Sequence, residues 1–139
     1  MNLYLIIAGC LSAIAAFLHL GCIYFGGNWY RFLGAGEQMA QLAEQGTIKP
    51  TALTSTIVLV LLVWSLYAFS AAGVALQLPL TKPVLCFITL IYLSRGTAGL
   101  FLIKSPMGRS PVFWLWSSII CLVFGVIHLI GLTQQWSIL

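Results

Sequence analysis

The sequence predicts an all-α membrane protein, with four transmembrane helices in an antiparallel bundle and a short amphipathic interfacial helix in the first loop. Composition is the first observation behind this prediction, because 61% of the 139 residues are hydrophobic and only 6% are charged. Soluble domains average about 25% charged residues. The second and third observations are four long apolar segments and the prolines at their entries. We expect one integral membrane domain covering residues 1–139.

Four apolar segments are each long enough to cross a bilayer at the 1.5 Å rise per residue of an α-helix. They cover residues 3–25, 51–76, 83–103 and 111–132. Pro50, Pro83 and Pro111 stand at the entries of the last three segments, where a helix needs no backbone N–H. The connections 77–82 and 104–110 are short. Consecutive segments are therefore expected to run antiparallel.

The first connection, residues 26–50, is long enough to hold a helix of its own. A helical pattern runs over residues 32–45 and ends at Gly46. Its apolar face combines Phe32, Leu33, Ala35, Met39, Leu42 and Ala43, and its polar face combines Glu37, Gln38, Gln41, Glu44 and Gln45. Helices that bind lipid headgroups usually carry Lys or Arg on the polar face. The glutamates instead favour a helix that packs on the end of the bundle.

The basic residues of the loops predict the orientation of the chain. Lysine and arginine are enriched in short cytoplasmic loops. The first and third loops contain Arg31, Lys49, Lys104 and Arg109, against Lys82 alone on the opposite side. We therefore expect these two loops in the cytoplasm, both termini outside, and a bacterial inner membrane as the location. Because the basic residues form no run, nucleic acid is not an expected partner.

Arg95 is the most informative single residue, because it lies within the apolar segment 84–103. An arginine near the middle of such a segment costs at least ~2.5–3.5 kcal/mol. Helix rise places Arg95 about 3 Å to the cytoplasmic side of the midplane. Its functional interpretation is a site for an anion or polar substrate; the alternative is an arginine that snorkels to helix-end carbonyls or lipid phosphate.

Other polar residues fall in the same half of the membrane or on inward-facing helical stripes. His19, Ser118 and Thr56 lie at a similar depth, and Glu37 could approach from the interfacial helix. Tyr92 lies on a stripe of small and polar residues of the third segment. The candidate residues for binding a substrate or a lipid are Arg95, His19, Glu37, Ser118, Thr56 and Tyr92.

No cofactor and no metal ion is expected from the sequence. The four cysteines contain no C-x-x-C pair. A bis-histidine haem within one chain is disfavoured, because His19 and His128 lie roughly 17 Å apart along the membrane normal. No P-loop, nucleophile elbow, HExxH or dinucleotide-binding motif is present.

Three classes of function are compatible with these features. The first, which we predict, is a binding or accessory subunit that carries a polar site around Arg95. Its expected partners are membrane lipids and either further copies of itself or a larger membrane protein. The second is a membrane enzyme that acts on a lipid-like substrate through His19, Arg95 and Glu37. The third is an oligomeric small channel or transporter, because four helices alone rarely enclose a pore. Whether the protein is an enzyme stays open at this point.

Overall fold

The protein is a bundle of helices, and its computed structural model describes residues 1–105 and 108–139. The helices are α1 (Leu3–Phe25), α2 (Gly27–Phe32), α3 (Glu37–Glu44), α4 (Ile48–Ala72), α5 (Thr81–Leu102) and α6 (Pro111–Gln135), and these two ranges contain no strand. Four of the helices, α1, α4, α5 and α6, are long and apolar enough to cross a membrane. The predicted all-α bundle is confirmed. Residues 106 and 107, within the predicted connection 104–110, lie outside the described residues.

α1 has the predicted ends, whereas the ends of the other three spanning helices differ from the predicted ends by up to four residues. The second spanning helix begins at Ile48, three residues before the predicted start. It ends at Ala72, not at residue 76, because Gly73 adopts a left-handed conformation (φ 80°) and caps the carbonyls of Phe69 and Ser70. Pro50 therefore falls in the first turn, where backbone N–H groups have no intrahelical acceptor.

The last two spanning helices are also longer at one end than predicted. α5 begins at Thr81, so Pro83 lies in its first turn. α6 begins at Pro111 as predicted, with the Ser110 side chain accepting a bond from the backbone N–H of Phe113, and continues to Gln135.

The helix predicted over residues 32–45 is shorter in the structure, where α3 covers only Glu37–Glu44, and the preceding helix α2 (Gly27–Phe32) was not predicted. Gly34 and Gly36 lie between them with φ values of 82° and 98°, a region that side-chain-bearing residues rarely adopt. A side chain on Gly34 would also collide with the Phe113 ring. α3 turns its apolar side inward, and Ala40 is fully buried in a cluster with Tyr30.

The spanning helices form two closely packed pairs, α1 with α4 and α5 with α6, and the pairs meet mainly between α1 and α6. Glycines bring α5 and α6 together. A methyl group on Gly96 would lie 3.0 Å from the backbone nitrogen of Leu122, and one on Gly125 would lie 3.1 Å from that of Leu93. Such small residues permit close approach of helix backbones in membranes.

Tyr92 of α5 connects all four spanning helices at the centre of the bundle. Its hydroxyl lies 3.0 Å from Ser12 Oγ of α1. Its ring packs edge-on against Trp64 of α4, with 5.0 Å between ring centroids. The rings of Phe124 and His128 of α6 lie 5.4 and 5.2 Å away. The predicted binding candidate Tyr92 is thus a buried packing residue that joins the two helix pairs.

Candidate functional site

The site lies at the end of the bundle that carries α2, α3 and the connection between α5 and α6, called here the loop end. Both acidic side chains of the sequence, Glu37 and Glu44, are located there and pair with Arg31. The distances from the Arg31 guanidinium nitrogens to these carboxylate oxygens include 2.8 Å to Glu37 and 2.6 Å to Glu44. No acidic side chain of this chain is left to neutralise the other five basic residues.

Acidification is expected to loosen the α2–α3 segment. Hydrogen bonds from Arg31 lower the pKa of both the Glu37 and the Glu44 carboxyl. The stabilisation is therefore complete above the ordinary glutamate pKa of about 4.3 and is lost as the pH falls through the lowered values. Hydrogen exchange of the α3 amides, corrected for the intrinsic rate, should accelerate as the pH falls through the lowered pKa values of the two carboxyl groups. An Arg31→Gln variant should exchange faster near neutral pH and lack this step, and an unchanged step in the variant would contradict the prediction.

Arg95 of α5 lies against the Trp114 ring of α6, in a cluster with Ser117 and Ser118. Its Nη2 donates a 2.9 Å hydrogen bond to Ser117 Oγ, and its guanidinium carbon lies 4.9 Å from the centre of the Trp114 ring. Ser118 is fully buried, and its hydroxyl has no hydrogen-bond partner in the described part of the chain. A methyl group on Gly99 would collide with this hydroxyl and lie 2.8 Å from Arg95 Nη1. Gly99 therefore makes the room in which Arg95 and Ser118 lie close together.

A second guanidinium group approaches the same indole from the connection before α6. Arg109 lies 5.6 Å from the centre of the Trp114 ring and 5.2 Å from that of Phe113. Its Nε donates a 3.4 Å bond to the carbonyl of Ala35, between α2 and α3. Cation–π contacts of this kind contribute on the order of 1 kcal/mol each. They attract the two guanidinium groups to the indole but leave their positive charges uncompensated.

An open cavity of about 270 Å³ lies beside Arg109 at the loop end. The side chains that define its chemistry are Gln38, Met39, Leu42, Lys49, Arg109 and Trp114. The lining thus contains two cations and no acidic residue. The volume is slightly below the ~300 Å³ at which small-molecule pockets usually begin. The cavity suits a compact anionic group rather than a large ligand.

The structure brings together only part of the predicted polar cluster. Arg95 and Ser118 are neighbours, as described above. His19 is half-buried on α1 and its Nδ1 lies 2.7 Å from the Ala15 carbonyl oxygen. Thr56 is exposed on α4 and donates to the Ala52 carbonyl of its own helix. Glu37 pairs with Arg31 rather than with Arg95.

Four residues of the site were not among the predicted candidates: Lys49, Arg109, Trp114 and Ser117. From the sequence, Lys49 and Arg109 indicate only the orientation of the chain, and Trp114 and Ser117 are not candidates for the site. The excess of six basic over two acidic side chains was visible in the sequence. That excess could have indicated a site for an external anion, but not its position.

The chemistry available at this site is binding of an anion. Arginine guanidinium groups and serine hydroxyls are donors that match phosphate oxygens. Among the described residues, the cavity lining contains no carboxylate, cysteine or histidine. A comparison of the chain with protein-family models, curated proteins and solved structures finds no match.

Proposed function

We propose that the protein is a membrane-embedded binding protein that holds the anionic headgroup of a lipid at the loop end. The observation that carries this proposal is the charge arrangement: Arg31 engages both acidic side chains, while Arg95, Arg109 and Lys49 converge on one region without a carboxylate. An unneutralised arginine in a spanning segment is unfavourable. The Arg95 side chain extends toward the loop end, where its guanidinium lies beside Gly99 and Ser117. A lipid phosphate is the anion that the bilayer itself supplies at that end.

The predicted orientation supports an anionic lipid in particular. With the loop end in the cytoplasm of a bacterial cell, the site would face the leaflet whose surface potential is negative. Each lysine or arginine near such a surface contributes about 1 kcal/mol to lipid attraction. Trp114 gives the site an amphipathic ring, a side chain that prefers the headgroup level.

The test is the affinity of the purified protein for phosphatidylglycerol, measured by native mass spectrometry of the protein released from mixed micelles. Lys49→Gln and Arg109→Gln should each weaken binding about 5-fold, which corresponds to about 1 kcal/mol per charge. The double variant should weaken it roughly 25-fold if the two effects add. Phosphatidylcholine should bind more weakly than phosphatidylglycerol to the unmodified protein.

Lys82→Gln is the matched control for loss of one positive charge. Lys82 lies at the opposite end of the bundle, where its Nζ donates to the Trp136 carbonyl at 2.8 Å and lies over the Trp136 ring. Its replacement should leave phosphatidylglycerol affinity unchanged. Equal losses for Lys82→Gln and Arg109→Gln would show that net charge, and not this site, attracts the lipid, and would overturn the proposal.

Self-association, a larger membrane-protein partner, enzymatic activity and transport stay predictions. The same mass spectra report whether the chain binds further copies of itself or a larger membrane partner. For the enzyme alternative, no hydrogen bond joins His19, Arg95 and Glu37 within residues 1–105. The geometry therefore favours headgroup binding over that alternative. Flux into proteoliposomes would test the transport alternative.

A further inference from the structure

A second polar site lies in the other half of the bundle, nearer the two termini, and is independent of the proposed function. His128 of α6 is fully buried and Thr89 of α5 is 4% exposed. His128 Nε2 and Thr89 Oγ1 have no hydrogen-bond partner among the residues that the structure describes. Buried polar atoms of this kind are unfavourable in a membrane interior unless something satisfies them.

The helix register places these two atoms in the same layer. α5 and α6 are antiparallel, and Leu93 lies against Gly125. Thr89 is one turn before Leu93 and His128 is about one turn after Gly125, so the two face each other across the helix pair. The contact between the rings of Tyr92 and His128 agrees with this register.

The bond made by the other ring nitrogen determines what His128 Nε2 can bind. His128 Nδ1 lies 2.8 Å from the Phe124 carbonyl oxygen. A carbonyl only accepts, so Nδ1 carries a proton and donates it. Both acidic side chains lie at the loop end, so no carboxylate side chain is available to support an imidazolium here. In the neutral ring Nε2 is therefore an acceptor, and its partner must be a donor.

We propose that His128 Nε2 and the Thr89 hydroxyl hold one water molecule between them. Water donates to the imidazole nitrogen and at the same time exchanges a second hydrogen bond with the threonine hydroxyl. The surrounding core, which includes the fully buried Leu85 and Ile88, is apolar and supplies no other donor. The imidazole, Thr89 and the neighbouring Ser12–Tyr92 hydroxyl pair form a polar layer across three helices.

Solid-state NMR of the protein in lipid bilayers, with ¹⁵N-labelled histidine, tests this site. The chain has two histidines, so a His19→Gln background leaves His128 as the single labelled ring. We expect a protonated Nδ1, and an unprotonated Nε2 that accepts a hydrogen bond and receives magnetisation from water protons. Thr89→Val should abolish the water transfer, and Thr89→Ser should retain it.

Thr97→Val is the matched control, because the Thr97 hydroxyl is exposed and donates to the Leu93 carbonyl of its own helix. It should leave the His128 signals unchanged. The proposal is overturned if Nε2 is protonated, or if Nε2 receives no magnetisation from water. A direct hydrogen bond between Thr89 and Nε2 would change the Nε2 signal in Thr89→Val without any transfer from water, and that result would also overturn it. The spectrum of the threonine-containing protein decides this even if Thr89→Val fails to fold.

Discussion

Replacing Tyr92 by alanine is expected to lower the free energy of unfolding by about 3–5 kcal/mol, the range for truncating a large aromatic residue in a packed core. The ring contacts Trp64 of α4 and both Phe124 and His128 of α6, so its loss leaves a cavity where the two helix pairs meet. Tyr92→Phe keeps the ring and loses only the bond to Ser12. A hydrogen bond between membrane helices contributes about 0.6 kcal/mol on average, so Tyr92→Phe should lower the free energy of unfolding far less than Tyr92→Ala.

Reversible unfolding in mixed micelles with increasing dodecyl sulfate, followed by circular dichroism, measures both variants. Phe87→Ala is the control, because Phe87 lies on the same helix with 58% of its surface exposed. That change should stay within about 0.5 kcal/mol, as surface substitutions usually do. If Tyr92→Phe costs as much as Tyr92→Ala, the hydroxyl and not the ring joins the pairs. If Phe87→Ala costs as much as Tyr92→Ala, the central position of Tyr92 has no special effect.

Gly96→Val is expected to cost about 2–3 kcal/mol, toward the upper end of the range for overpacking a core. Even a methyl group at this position would lie 2.6 Å from Leu122 Cγ and 3.0 Å from the Leu122 backbone nitrogen, so α5 and α6 must separate. Because Arg95 bonds to Ser117 across the same pair of helices, separation should also weaken phosphatidylglycerol binding. One variant is thus expected to reduce stability and lipid affinity together.

Ala98→Val is the control for Gly96→Val, since Ala98 is exposed on the same helix. It adds β-branched volume without a neighbouring backbone to displace, and both readouts should stay near those of the unmodified protein. The same unfolding titration and lipid-binding measurement apply. Equal destabilisation by the two substitutions would mean that helix propensity, and not the contact with α6, sets the stability of this segment.

Hydropathy predicts where a chain enters the membrane better than where a helix ends. Residues 3–25 were predicted to the residue, because an apolar run there meets two glycines. The end of α4 was predicted four residues late because residues 73–76 carry no polar side chain and so continue the apolar segment. The helix ends there only because Gly73 adopts a left-handed conformation. The division between α2 and α3 likewise depends on the backbone of Gly34 and Gly36, which periodicity does not register.

Depth along the membrane normal predicted part of the site and missed the rest for a geometric reason. It placed Arg95 and Ser118 at similar heights, and both also face the α5–α6 contact. Thr56 has a similar depth but projects from the exposed side of α4, because depth carries no information about rotation around the helix. Glu37 pairs with Arg31, only six positions away in the chain, and this local partner outcompetes one inside the bundle.

The pairing of the spanning helices also bears on how the protein is made. Each closely packed pair, α1 with α4 and α5 with α6, consists of spans that follow each other in the chain. Each pair can therefore associate as soon as its second span leaves the insertion machinery, with little wait for distant sequence. The late event of biogenesis would then be the docking of the two hairpins, completed when the Tyr92 hydroxyl reaches Ser12 on the first helix synthesised.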